Sequence, residues 1–122
     1  MKFNPQLKNE LEKYKEYVIL VEGKKDVFAL KSLGFEKVYA IHMTSVSLRE
    51  RIEEISKTIG KKDKVCILTD LDRKGRKLYE LIKPILQELG VKTDSSLRGL
   101  LLKARLSHIE GIEKFLKKAE VE

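Results

Sequence analysis

The sequence YVILVEGKKD, from Tyr17 to Asp26, is the strongest indication of the fold. Its first half is a nearly continuous run of β-branched and aromatic residues, as expected of a strand that is buried on both faces of a sheet. Glu22 and Gly23 follow this run directly, and from Lys24 onward the apolar residues have helical spacing. A buried strand that turns directly into a helix is typical of an α/β protein with a parallel sheet.

The alternation of strands and helices continues along the chain. Two further apolar runs, KVYAI at 37–41 and KVCILT at 64–69, predict two more strands, and each is followed by a segment with helical spacing. A short fourth strand is expected near 91–94. The sequence therefore predicts a Rossmann-like α/β fold with a roughly four-stranded parallel sheet and helices on both faces.

The helices that connect these strands can be placed by their end signals. The helix over 24–33 is expected to end at Gly34, and Ser47 with Glu50 forms a capping box for the next helix. A long helix follows the third strand, and Pro84 is expected to kink it or break it in two. Its expected apolar stripe consists of Leu78, Leu81, Ile82, Ile85 and Leu89.

Helices are also expected near both ends of the chain. Asn4 and Pro5 form an N-cap and first-turn pair for an N-terminal helix, and Ser107 with Glu110 forms a second capping box, which opens a C-terminal helix. The segment 97–106 is either a helix or an irregular connection. We expect both terminal helices to pack on the central sheet.

Length and composition limit the possible functions. The 122 residues, 42% of them hydrophobic, predict a single domain over 1–122 with its core motifs at about 17–90. The net charge of +7 favours an anionic partner such as nucleic acid, although 37% charged residues could also reflect a thermophilic source. The charged N-terminus and the lack of a long apolar run predict a cytoplasmic protein. The single cysteine, Cys66, excludes a disulfide framework.

Acids follow two of the predicted strands. Glu22 comes after the first strand, and Asp70 and Asp72 come after the third, in TDLDRKGR. In an open parallel sheet, ligands bind beyond the carboxyl ends of the strands, at the point where the strand order reverses. If the first and third strands are neighbours, about 4.8 Å apart, the three carboxylates can share a Mg²⁺ ion, which would offset their mutual repulsion.

Basic residues flank these acids and suit contact with phosphate. They are Lys24, Lys25, Arg73, Lys74, Arg76 and Lys77. Acids that hold a metal beside bases that hold phosphate suit phosphoryl transfer on a polyanion. Gly75 is expected to permit a close backbone approach at the start of the long helix. Taken singly, these features have simpler explanations: Asp72 as a helix N-cap, Glu22 as a solvated acid, and the bases as exposed helix faces.

Together the two acidic motifs resemble the signatures of the Toprim family, the catalytic domain shared by topoisomerases, bacterial-type primases and certain small nucleases. VEGKKDVFAL at 21–30 matches its glutamate–glycine motif, and ILTDLDRKGR at 67–76 matches its DxD motif, including the glycine often found after it. These 122 residues are too few to include the further domains of topoisomerases and primases, so we expect neither activity from them. The chain therefore most resembles small stand-alone members similar to the ribonuclease that matures 5S ribosomal RNA.

The resemblance implies a role for each residue of the site. Glu22 would be the general acid or base, and Asp70 and Asp72, with Glu22, would bind Mg²⁺, with Mn²⁺ as an alternative. The residues implied to contact phosphate are Lys24, Lys25, Arg73, Arg76, Thr44 and Ser45, the last two from the loop HMTSVS at 42–47. The residues implied to support the site are Gly23, Asp26 and Gly75.

Other polar residues are assigned no such role. His42 and His108 are interpreted as structural residues. The basic stretch through Arg98, Lys103 and Arg105 could extend a nucleic-acid surface or be a solvated flank.

Two functions remain open at this point. The first is a Mg²⁺-dependent nuclease or related phosphoryl-transfer enzyme that acts on RNA or DNA. The second is a non-catalytic nucleic-acid-binding module within a larger RNA- or DNA-processing assembly. A phosphatase of the haloacid-dehalogenase type is disfavoured because its DxD motif normally follows the first strand. A P-loop NTPase is disfavoured because EGKKD lacks the upstream glycine and the Ser or Thr after lysine.

Overall fold

The structure is a computed structural model that describes residues 5–104, 108–109 and 111–112. Within these residues the chain forms three strands and five helices. In chain order they are α1 (Pro5–Glu12), β1 (Val18–Val21), α2 (Lys24–Ser32), β2 (Lys37–Ala40), α3 (Leu48–Ser56), β3 (Val65–Ile67), α4 (Arg73–Glu88) and α5 (Ser96–Lys103). No helix in the described part of the chain is long and apolar enough to cross a membrane.

The three strands form one parallel sheet in the order β2-β1-β3. The expected fourth strand is reduced to a single parallel bridge between Val65 and Thr93. The chain leaves the sheet edge there because the carboxylate of Asp94 accepts the N–H of Ser96, 2.8 Å away, at the start of α5. The predicted α/β fold class, with a parallel sheet between helices, is confirmed.

Helices cover both faces of the sheet because the strand side chains alternate between two cores. Ile19 and Val21 belong to one core, together with side chains of α1, α2 and α5. Val18 and Leu20 belong to the other, together with side chains of α3 and α4. All four of these strand residues are at most 2% exposed, which explains the continuous apolar run of β1.

The predicted helix ends agree with the structure where they can be compared. Ser47 is the N-cap of α3, and its hydroxyl accepts the N–H of Glu50 at 3.2 Å. Gly34 follows the end of α2 with a φ of +98°, in the region that favours glycine. The predicted cap at Asn4, the capping box of Ser107 with Glu110, and the chain beyond 112 lie outside the described residues.

The structure corrects two expectations about α4. Of the kink or break expected at Pro84, the break is wrong, because one helix continues through this exposed residue. The carbonyl of Glu80, which loses its donor to the proline, belongs to an exposed residue and can face water. The apolar stripe also differs, because Leu81 is 58% exposed and Leu86 is fully buried beside Ile82. Neighbouring helical residues are rotated by about 100°, and only the packing against the sheet selects which of them faces inward.

The pair Ile82 and Leu81 provides a test of this orientation. We expect Ile82→Ala to lower the free energy of unfolding by about 2–5 kcal/mol, because it leaves a cavity in the core of α3, α4 and the sheet. Leu81→Ala should change it by no more than about 0.5 kcal/mol, because that side chain is largely in water. Urea unfolding of both variants measures the difference, and equal losses would contradict this orientation of α4.

Candidate functional site

The two predicted acidic motifs, which follow β1 and β3, are in contact at the ends of these strands. The carboxylate Oε2 of Glu22 accepts the backbone N–H of Asp70 at 2.9 Å. On its other side, the backbone carbonyl of Glu22 accepts the N–H of His42 at 3.1 Å, just beyond β2. Because β1 lies between β2 and β3, Glu22 lies at the centre of the carboxyl edge of the sheet.

The turn from β3 into α4 is very tight. The hydroxyl of buried Thr69 donates to the carbonyl of Gly75 at 2.6 Å, and the N–H of Gly75 donates to Oδ1 of Asp72 at 2.8 Å. A Cβ atom at Gly75 would lie 1.8 Å from the carbonyl oxygen of Asp70, far inside van der Waals contact. The turn therefore requires glycine at this position. Asp72 is the N-cap of α4, so its simpler explanation holds alongside any role in metal binding.

Arg98 of α5 supports this turn from the protein interior. Its guanidinium donates to the carbonyl of Thr69 at 2.6 Å, to the Thr69 hydroxyl at 3.0 Å and to the carbonyl of Asp70 at 3.0 Å. The guanidinium carbon also lies 4.9 Å from the ring centroid of Tyr79. Arg98 is only 8% exposed, so both surface interpretations of this residue are wrong. Lys103 is exposed, and Arg105 lies outside the described residues.

The charge of Arg98 is positioned to act on the acids. Burial lowers the pKa of Arg98, while attraction to Tyr79 and to the carboxylates of Glu22, Asp70 and Asp72 opposes that shift. Arg98 keeps its positive charge, because a guanidinium group is effectively always protonated in proteins. A buried positive charge therefore lies behind the acidic cluster and reduces the repulsion among its members.

A short segment near 108–112 returns to the same edge of the sheet. The backbone N–H of Ile109 donates to Oδ1 of Asp70 at 3.0 Å, and Nε2 of His108 lies 3.9 Å from Oδ2 of Asp72. Ile109 and Ile112 are buried in the core shared by α1, α2 and α5. His108, which we had interpreted as structural, therefore lies beside the acidic motif.

Glu22 has an altered acidity. Burial is the main cause that raises the pKa of its carboxyl group above the ordinary value, and the nearby acids Asp70 and Asp26 raise it further. The hydrogen bond from the Asp70 N–H opposes this rise but does not cancel it. A carboxyl group with a raised pKa is better suited to carry a proton near neutral pH.

The basic side chains form an exposed rim around the acids. The rim consists of Lys24, Lys25, Arg73 and Arg76, all exposed at the first turns of α2 and α4. These helices begin at the carboxyl edge of the sheet, so their N-termini add partial positive charge there. Arg76 also contacts Glu80 at 3.4 Å, a pair that water screens because both side chains are exposed.

The remaining predicted residues lie at the start of α2 and in the loop after β2. Gly23 donates its N–H to Oδ2 of Asp26 at 3.2 Å, which satisfies a donor at the beginning of the helix. Gly23 has an extended backbone, and a Cβ there would meet nothing within 4 Å. Thr44 and Ser45 are exposed, and Ser45 has a φ of +66°.

The donor set at this edge fits a divalent cation. Among the described residues, Asp70, Asp72 and His108 each offer a ligand atom, and these atoms lie within 4.8 Å of one another. Two carboxylates and an imidazole are ordinary ligands of divalent metals. Glu22 is connected to this group through the N–H of Asp70.

The chain is similar in sequence to known proteins. Residues 17–96 match the family model described as the Toprim domain. The chain is 34% identical over 110 residues to a UPF0292 protein of Thermococcus sibiricus, covering 88% of this chain and 83% of that protein. It is 32% identical over 112 residues to a UPF0292 protein of Methanosarcina barkeri, covering 88% and 74% respectively. The name UPF0292 states no reaction.

A solved structure is also similar to the chain. It is a putative protein from Aquifex aeolicus, with a TM-score of 0.71 and 30% sequence identity. The match covers 90% of this chain and 98% of that one. The similarity thus extends over nearly the whole of both chains.

Gly75 and Gly23, the glycines of the two acidic motifs, differ in the space that the structure leaves for a side chain. We expect Gly75→Ala to lower the free energy of unfolding by about 3 kcal/mol or more, because the new methyl group collides with the backbone of Asp70. Gly23→Ala is the matched control and should change it by less than about 1 kcal/mol, because its surroundings are open. Thermal and urea unfolding measure both, and a mild effect of Gly75→Ala would contradict the tight turn.

The raised pKa of Glu22 predicts a pH-dependent effect of Glu22→Gln on stability. Folding favours the protonated carboxyl group, so the wild type loses stability as the pH rises from the unfolded-state pKa, about 4.3, through the raised folded-state pKa. The glutamine keeps an oxygen that can accept the Asp70 N–H but has no charge. We therefore expect similar stabilities near pH 4 and a more stable variant at pH 7.5.

Thermal unfolding in EDTA at the two pH values measures this difference. Glu36→Gln is the control, because Glu36 is exposed and lies just before β2, at the opposite edge of the sheet. It should give little change at either pH. A wild type that is more stable than Glu22→Gln at pH 7.5 would contradict the direction of the pKa shift.

Proposed function

The chain belongs to the Toprim domain family, and we propose that it is a Mg²⁺-dependent phosphoryl-transfer enzyme of the nuclease type that acts on the backbone phosphates of RNA or DNA. Family membership suggests a metal-dependent function related to nucleic acid. The finer proposal is supported above all by the 2.9 Å contact between Glu22 and the N–H of Asp70, which connects a carboxyl group of raised pKa to a group of candidate metal ligands.

In this proposal Glu22 is the general acid or base that transfers a proton during phosphoryl transfer. A general acid or base works best when its pKa is close to the working pH, and burial raises the pKa of Glu22 in that direction. The N–H of Asp70 holds one carboxylate oxygen of Glu22 and so restricts its orientation. This fixed orientation would keep the proton-transferring oxygen beside the reacting phosphate.

Asp70 and Asp72 would hold the cation. Asp70 is oriented by the N–H of Ile109, and Asp72 is oriented by the N–H of Gly75. A bound Mg²⁺ would stabilise negative charge that develops on the phosphate oxygens. The buried charge of Arg98 supports the carboxylates from behind and leaves the outer side of the site open to solvent.

The exposed rim would bind the nucleic-acid backbone. Lys24, Lys25, Arg73 and Arg76 suit contacts with phosphates on either side of the reacting one, and the net charge of +7 favours the approach of a polyanion. Thr44 and Ser45 could donate hydroxyl hydrogen bonds to phosphate from the loop after β2. Such contacts read the backbone rather than the bases, so we expect little sequence preference.

The alternative function is a nucleic-acid-binding module that does not cleave and that acts within a larger processing assembly. The same basic rim would serve it, because rim contacts give affinity without chemistry. Only the enzyme would cleave nucleic acid, and it would need both the metal and Glu22 to do so. The binding module would bind nucleic acid without cleaving it.

A cleavage assay distinguishes the two functions. Labelled structured RNA, single-stranded RNA and duplex DNA are incubated with the protein in Mg²⁺, Mn²⁺ or EDTA. We expect cleavage only with metal, and a loss of about 100-fold or more in Glu22→Gln and in Asp70→Asn, because one removes the proton carrier and the other a metal ligand.

Glu36→Gln serves again as the matched control and should cleave as the wild type does. Electrophoretic mobility shifts in the same samples report binding separately from cleavage. Salt-sensitive binding that persists in EDTA, without cleavage of any substrate by the wild type, would exclude the enzyme and support the binding module.

A further inference from the structure

We propose that His108 is a metal ligand, and that the site formed by Asp70, Asp72 and His108 binds a first-row transition ion such as Mn²⁺ more tightly than it binds Mg²⁺. This inference rests on the proposed function, since it assumes that the aspartates hold a divalent cation. It goes further by adding a nitrogen ligand from a part of the chain that lies beyond the 17–96 match to the family.

The distance between the imidazole and the carboxylate fits a shared ion. Nε2 of His108 and Oδ2 of Asp72 are 3.9 Å apart, which is longer than a hydrogen bond. Two ligands of one octahedral ion at about 2.1 Å lie about 3.0 Å apart when adjacent and about 4.2 Å apart when opposite. The observed separation falls between these values, so small side-chain rotations would allow both atoms to bind one cation.

The backbone near His108 is fixed to the site by its neighbours. The N–H of Ile109 donates to Oδ1 of Asp70 at 3.0 Å, and Ile109 and Ile112 are 0% and 2% exposed in the core. Hydrogen bonds from Gly111 to the carbonyl of His108 and from Ile112 to that of Ile109 close the turn. The segment is therefore held at the acidic motif by burial and by a hydrogen bond, independently of the His108 side chain.

Both aspartates have one oxygen oriented by a backbone N–H. Oδ1 of Asp72 accepts from Gly75, and Oδ1 of Asp70 accepts from Ile109. Holding one oxygen restricts the rotation of each carboxylate and thereby directs the other oxygen, as hydrogen bonds to metal ligands commonly do. The His108 side chain is 58% exposed, which leaves a path for a hydrated ion to enter.

The nitrogen donor determines the preferred metal. Mg²⁺ prefers oxygen ligands and keeps several waters. First-row transition ions accept an imidazole ligand more readily than Mg²⁺ does, and Mn²⁺ has the weakest affinity of that series. A site with two carboxylates and one imidazole should therefore gain more affinity for Mn²⁺ than for Mg²⁺ from His108. Without the imidazole, the preference of the site for Mn²⁺ over Mg²⁺ should decrease.

Electron paramagnetic resonance of bound Mn²⁺ tests the proposal directly. We expect the wild-type complex to show electron spin-echo modulation from a coordinated ¹⁴N nucleus, and His108→Ala to lose it. We also expect His108→Ala to bind Mn²⁺ about tenfold more weakly by titration, with a smaller change for Mg²⁺. His42→Ala is the matched control, because the chain has two histidines and His42 is also exposed at this edge of the sheet.

The outcomes separate this proposal from the proposed function. A wild-type Mn²⁺ complex without ¹⁴N modulation, whose binding is lost in Asp70→Asn, would overturn the role of His108 and leave the aspartate metal site intact. The same conclusion follows if His108→Ala keeps both the modulation and the affinity. Failure of the wild type to bind Mn²⁺ or Mg²⁺ at millimolar concentration would overturn both proposals. A wild-type spectrum without ¹⁴N modulation overturns the role of His108 even if a variant is unstable.

Discussion

The hydrogen bond from the Asp70 N–H to the Glu22 carboxylate, 2.9 Å long, depends on the parallel pairing of β1 with β3. That pairing sets Leu20 opposite Ile67 and brings the two acidic motifs to the same edge of the sheet. A slip of one residue would turn the strand side chains to the opposite faces and separate the motifs. The register is therefore what the candidate site depends on, and the two buried cores on either side of the sheet maintain it.

Concentrating acids at one edge of a sheet is electrostatically costly, and the protein offsets the cost with positive charge on two sides. Arg98 lies behind Thr69 and Asp70, where burial strengthens its effect on the carboxylates. The exposed rim at the starts of α2 and α4 lies toward solvent, where water weakens each charge but nucleic acid can reach it. The interior charge stabilises the acids, while the outer charges are available for a ligand.

Local patterns predicted much of the fold and part of the candidate site. The apolar runs predicted the three strands. The order of the motifs predicted that Glu22 and Asp70 lie close together, because both follow strands of one parallel sheet. Local patterns could not predict which of Leu81 and Leu86 is buried or that Arg98 lies in the interior. They also missed the approach of His108 to Asp72, since the only signal for it is the buried spacing of Ile109 and Ile112.

The sequence by itself determined the α/β class and the resemblance to the Toprim family, with its glycine after the DxD motif, because strand periodicity and short motifs are local properties of the chain. That this position requires glycine follows from the clash that a Cβ atom would make with Asp70. Only the tertiary structure decided that the sheet has three strands in its described part, that Arg98 supports the acidic turn, and that the segment near His108 closes on it. These features depend on contacts between residues far apart in sequence. Such contacts are selected by the packing of whole helices against the sheet, which no single stretch of the chain encodes.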